Sequence, residues 1–285
     1  MSDPASHAQD ATYFHLPEFL GGEIELPKIP LGFYDFQITK YMVIEIFVAV
    51  CLVAVFVPLA KRIVTGQPPR GRFWNLFEVF LLYIRDQVVR PCIDGTGSHT
   101  TGSHAGHKRE SDKYLPFLWT LFFFILFCNL FGMLPWMGSP TGSIAVTGLL
   151  AVIAFLTVTI TGIKAHGGVG YWLGLVPKMD LPFGLGYILK PMLFVIEIVA
   201  YLIKHGVLAI RLWANMFAGH VVLAVFLGFI GAAMTLPLLL CGTVTGLSLF
   251  MSVALSFLEL FVAFLQAYIF VFLTSLFIGG AIHQH

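Results

Sequence analysis

The sequence predicts an all-α, polytopic membrane protein, and three observations carry that prediction. Of its 285 residues, 58% are hydrophobic and 11% charged, less than half the charged share of about 25% in a soluble domain. From Tyr114 to His285 only Lys164, Lys178, Asp180, Lys190, Glu197, Lys204, Arg211 and Glu259 are charged. Several apolar runs reach the roughly 20 residues that let a helix cross about 30 Å of hydrocarbon. The expected architecture is a set of upright transmembrane helices, one amphipathic helix on the surface and two long C-terminal segments. A net charge of +1 offers no basic field for nucleic acid.

Residues 1–40 form the expected extramembrane N-terminal segment. They carry Asp3, Asp10, Glu18, Glu23, Glu25 and Asp35, without the basic start and apolar stretch of a cleavable signal peptide. Pro17, Pro27 and Pro30 argue against one long helix there. Transmembrane helix 1 is predicted over 41–60, ending at Lys61 and Arg62. In 61–113, Gly66, Pro68, Pro69 and Gly71 mark a turn. Phe73, Leu76, Phe77, Phe80, Leu81 and Ile84 then recur at helical spacing against Asn75, Glu78, Arg85 and Asp86, the pattern of a helix lying on the membrane surface.

A polar linker, 94–112, follows, with His99, His104 and His107 among glycines, serines and threonines. Such flexible ligands lose much ordering entropy on binding a metal, so no metal site and no cofactor are expected. Tyr114–Trp136 and Ile144–Ile163 are uncharged spans joined through Gly138, Ser139, Pro140, Thr141 and Gly142, a transmembrane hairpin over 114–163. Cys51, Cys92, Cys128 and Cys241 lack any finger spacing and read as small apolar residues.

Lysine and arginine placement sets the orientation. Loop 61–113 holds nine of them and loop 164–190 holds Lys164, Lys178 and Lys190, against Lys28 and Lys40 in the N-terminal segment. By the positive-inside rule both loops are cytoplasmic, the N-terminus is outside and the C-terminus is cytoplasmic; an acidic, uncleaved N-terminus facing out favours a bacterial inner membrane. From Pro191 to His285, with a break near Met234–Pro237, lie two segments of roughly forty residues, each about 60 Å as a helix. Each is either broken or steeply tilted.

The few polar residues of this last region sit mid-segment. Arg211 keeps its proton, and at a bilayer centre an arginine costs between about 3 and 17 kcal/mol, so it needs a partner or a water-filled cavity unless it snorkels to an interface. Glu197, fourteen residues earlier, is about 21 Å away on a continuous helix, so the counter-charge comes from another helix or another subunit. Helical phase puts Asn215 about 40° from Arg211, with Glu197 near the same face, and His220 about 180° away. Two polar faces on one helix suggest two aqueous routes.

On the last segment Ser252, Glu259 and Gln266 repeat every seven residues and share one face with about 20° of drift per repeat. The stripe would line a cavity, although serine and glutamine also serve to bond neighbouring helices. Apolar surroundings move a carboxylic acid towards neutral titration and imidazole titrates there already, so Glu259 and His220 suit proton exchange. Haem ligation by His205 and His220 is disfavoured by their offset of about 60° on one helix.

At these residues the chain resembles subunit a of the F-type ATP synthases, the membrane stator that conducts protons to a rotating ring. RLWANMFAGH, Arg211 to His220, is similar to that family's arginine motif, and LELFVAFLQAYIFVFL, Leu258 to Leu273, to its final helix. The resemblance implies that Arg211 is the essential arginine facing the ring, flanked by Asn215 and Gln266. It implies that His220 and Glu259 line the outer half-channel and Glu197 the inner one. Many bacterial relatives carry glutamate at the His220 position and histidine at the Glu259 position; this chain has the exchanged pair, as mitochondrial relatives do. Gly132, Ala200 and Val207 also depart from some relatives.

The resemblance implies an upright helix 1 and hairpin, and two long C-terminal helices strongly tilted towards the membrane plane. Its partners would be the c-ring, the peripheral-stalk b subunits, the bilayer and protons. ATP synthesis would happen elsewhere in the complex, and no phosphate loop of the GxxxxGK[ST] kind is present. The alternative is a stand-alone secondary ion transporter or antiporter, for which two halves of similar hydropathy are expected; no such halves are evident. A membrane enzyme would need a clustered nucleophile or metal site.

Overall fold

The computed structural model describes residues 13–15, 23–30, 35–64, 71–95, 110–134, 138–175, 186–235 and 237–283. The linker histidines 99, 104 and 107, the prolines 68 and 69, and Lys178 lie outside the described residues. Among the described residues from Lys40 onward the regular elements are helices, and five of them are long and apolar enough to cross a bilayer.

α1 runs Lys40–Val64, overshooting the predicted span at both ends. Its Tyr41, Ile44, Val48, Leu52 and Leu59 are buried while Ile46, Val50 and Val53 are open. Both faces are apolar, since within a bilayer lipid and protein accept the same side chains and close packing alone selects the inner face. Lys61 and Arg62 in the last turn complement the helix dipole.

The amphipathic stretch is α2, Arg72–Tyr83, continuing through a π-helical turn, Ile84–Val89, into the short α3, Arg90–Ile93. Phe73, Leu76, Val79 and Tyr83 stay open on one side. The π turn places Arg85 and Arg90 on either side of Asp86, at 2.9 and 2.8 Å, and Arg90 also reaches Asp112 at 3.4 Å. Asp94 accepts hydrogen bonds from the Ser111 amide and hydroxyl at 3.2 and 2.7 Å, so the two ends of the polar linker are tied together.

α4, Glu110–Gly132, and α5, Ile144–His166, form the hairpin. Glu110 and Asp112 in the first turn of α4 and Lys164 and His166 in the last turn of α5 sit at the helix ends that favour their charges. The connection includes one 3₁₀ turn, Pro140–Gly142. The expected loop 164–190 contains a further short helix, α6, Gly168–Gly174.

α7, Gly186–Ala233, and α8, Leu238–Ile282, are single helices of 48 and 45 residues. The first begins before Pro191, and the break between them falls at the predicted place. At about 1.5 Å per residue each is about 70 Å long, more than twice the hydrocarbon thickness. Unbroken apolar helices of that length stay within a membrane only by running obliquely.

The N-terminal segment adds four three-residue strands: β1, Tyr13–His15; β2, Glu23–Glu25; β3, Lys28–Pro30; β4, Asp35–Gln37. They pair antiparallel as β1–β2 and β3–β4, with Tyr13 opposite Glu25 and Lys28 opposite Gln37.

Contacts divide the chain into two compact units. One takes in residues 1–60, 123–147 and 210–267, the other residues 61–122, 148–209 and 268–285. All four cysteines are free thiols.

Candidate functional site

The unit containing 210–267 holds most of the residues singled out by sequence. On α7, Leu212 and Met216 are fully buried and fix which side of the helix packs inward. Arg211 and Asn215, beside them, are half-buried. Among the described residues Arg211 has no ion-pair or hydrogen-bond partner. The Asn215 side-chain nitrogen is buried and likewise unpartnered.

Ser252, Glu259 and Gln266 on α8 are all buried, so the seven-residue stripe faces protein along its length. His220 and Glu259 come together, with Nδ1 3.9 Å from Oε1, within ion-pair range and beyond a hydrogen bond. His220 Nε2, Ser252 Oγ and Glu259 Oε1 are buried without hydrogen-bond partners. Buried polar groups are nearly always paired, and apolar lipid raises the cost of leaving them unpaired. Four such atoms lie on the α7 and α8 segments of this one unit.

Two glycines let this arrangement close, and sequence reasoning missed the role of both. A Cβ on Gly219 would lie 2.7 Å from Glu259 Oε1, so the glycine lets the carboxyl rest against the backbone next to His220. A Cβ on Gly132, at the end of α4, would collide with Ser139. That close approach brings in a buried polar set: Ser139 and Thr141 hydroxyls 2.6 Å apart, Thr141 donating to Asn129 Oδ1 at 2.7 Å, and Asn129 Nδ2 donating to the Ala263 carbonyl of α8 at 3.3 Å. An asparagine inside FFFILFCNLFG was the available signal for it.

Glu197 is half-buried on α7 and belongs to the other unit. His205, in the same unit as Glu197, is buried among aromatic rings. Among the described residues no three His, Cys, Asp or Glu side chains stand together as a metal site.

The family profile described as ATP synthase A chain matches residues 42–279. The chain belongs to the ATP synthase A chain family. It is 36% identical to ATP synthase subunit a of Myxococcus xanthus, over 98% of this chain and 88% of that one. Subunit a of Chloroherpeton thalassium is 34% identical over 98% and 76% of the two chains, and that of Pelagibacter ubique 35% identical over 91% and 93%. ATP synthase A chain membership thus covers nearly the whole sequence, far beyond the two motifs that carried the resemblance. It sets the chain among the a subunits of the F-type ATP synthases, proteins of ATP synthesis and proton transport, and the five apolar helices agree with a membrane subunit.

Proposed function

We propose that the chain is the stationary, non-catalytic subunit that carries protons to and from the c-ring through two offset half-channels separated by Arg211. Protons enter from the outer side past His220 and Glu259, neutralise a carboxylate on a ring subunit, travel round with the ring and leave past Glu197. Asn215 and Gln266 flank the arginine, and Ser252 extends the polar stripe. The guanidinium keeps its proton, so it repels a proton moving directly between the routes and favours the ionised form of the approaching ring carboxylate. The driving force is about 2.3 kcal/mol per charge per 100 mV.

The observation that most supports this reading is Arg211 itself, set within a 48-residue apolar helix and without a counter-charge among the described residues. A permanent charge there calls for an anionic partner on another chain, and a ring carboxylate answers that need. The proposed assembly also includes the peripheral-stalk b subunits. The chain sits in a bacterial inner membrane with its N-terminus in the periplasm and its C-terminus in the cytoplasm.

ATP-driven proton pumping into inverted membrane vesicles tests the reading. Arg211→Ala is expected to abolish pumping while the complex still assembles. Undiminished pumping by an assembled Arg211→Ala complex would sink the assignment, and proton uptake by this chain reconstituted alone would support a self-contained transporter instead.

A further inference from the structure

His205 takes no part in the path just proposed, yet it is 4% exposed. Its ring lies among those of Phe155, Tyr201 and Phe277, with centroids 5.2, 4.8 and 4.9 Å away. Nδ1 is 2.9 Å from the Tyr201 carbonyl oxygen. A carbonyl can only accept, so Nδ1 carries the hydrogen and, in the neutral ring, Nε2 carries the lone pair. Nε2 is buried without a hydrogen-bond partner.

The neighbouring hydroxyls are committed elsewhere. Thr159 donates to the Phe155 carbonyl at 2.8 Å, so across its 2.9 Å contact with the Tyr201 hydroxyl the threonine accepts and the tyrosine donates. An enclosed acceptor with no donor is unfavourable, and a phenylalanine would fill the same aromatic nest without that penalty. Glu197, Tyr201 and His205 stand at i, i+4 and i+8 of α7, one stripe with about 40° of drift per step. α5, α6 and α8 present Phe155, Thr159, Tyr171 and Phe277 to this site, none of them charged. Lys204 is the adjoining charge.

We infer that His205 is a proton-exchange residue of the inner half-channel, its Nε2 working through water with Glu197; this rests on the stator reading above. A hydronium ion gives its proton to the Nε2 lone pair, leaving water and an imidazolium whose Nδ1–H stays on the Tyr201 carbonyl. The Nε2–H bond then breaks to a second water, which passes the proton on towards Glu197. No electrons change hands.

Passive proton flux is to be measured through the membrane sector of the assembled complex after its soluble catalytic part is stripped. His205→Phe, which keeps the ring packing, is expected to lower flux at least about tenfold. In His205→Gly, added imidazole is expected to restore flux while pyrrole, of the same shape but not basic, does not. Native flux in His205→Phe beside none in Arg211→Ala overturns the proposal and leaves the stator reading intact. Native flux in both variants removes the stator reading and this proposal with it. Should His205→Phe fail to assemble, the glycine variant decides: native flux with nothing added, or equal rescue by pyrrole and imidazole, overturns the role.

Discussion

Gly219 shows how tightly the site is drawn at the scale of single residues. An added methyl group 2.7 Å from Glu259 Oε1 makes the carboxyl, the free end of a flexible side chain, shift from its place beside His220. Gly219→Ala is therefore expected to weaken pumping by displacing the carboxyl, while costing the complex less than about 1 kcal/mol, seen as a nearly unchanged thermal midpoint in detergent. Gly228→Ala, on the same helix with nothing within 4 Å of its Cβ, should leave both unchanged or raise stability slightly. The polar residues Arg211, His220 and Glu259 were legible because each interrupts an apolar run. Gly219 was not, since a helical glycine reveals its purpose only when a second helix is laid against it.

At the scale of elements, Asn129 ties α4 to α8 through its hydrogen bond to the Ala263 carbonyl. Replacing it with leucine leaves the Thr141 hydroxyl without its acceptor and removes the donor to Ala263. A loss of about 1–3 kcal/mol is expected, measured as thermal unfolding of the purified complex; no change would mean that apolar packing alone sets the registry. The ionic cluster at the π turn should respond to pH. The Arg85 guanidinium hydrogen-bonded to Asp86, opposed by desolvation, holds that carboxyl below the usual carboxylate range. The cluster thus contributes stability above the unfolded value near pH 4 and loses it as pH falls through the lower folded value. Both side chains are partly solvated, 31% and 40% exposed, so the effect is below about 1 kcal/mol, read as lower amide protection factors over 84–93 on acidification, each normalised to the intrinsic exchange rate at that pH.

Long elements were readable and short ones were not. Runs of twenty and forty apolar residues announce α1, α4, α5, α7 and α8 whatever their neighbours do. A three-residue strand is too brief for an alternation to register, so the hairpins of the N-terminal segment left no pattern. The π turn escaped for a related reason: one extra residue per turn shifts the phase of 84–89 without altering their composition. α6 has only seven residues, three of them glycine, a composition that reads as loop.

For the whole molecule, composition fixes the solvent and the solvent fixes the architecture. Lipid denies the backbone any outside hydrogen-bond partner, so the membrane-spanning parts are helices, and the scarce charges stand where packing or chemistry requires them. The tie between Asp94 and Ser111 bears on the chain as a whole. Because Asp94 and Ser111 meet, the residues between them leave from and return to one spot, so a change in their length does not require the flanking helices to move. Replacing 97–108 by a short Gly-Ser turn should preserve assembly and pumping, and the smaller loop should favour the folded state by about 1 kcal/mol. The same spot should accept a folded cargo domain, giving a handle for purification or fluorescence that leaves the helices undisturbed. Loss of assembly in both the shortened and the cargo-bearing chain would show instead that the linker is gripped by another subunit.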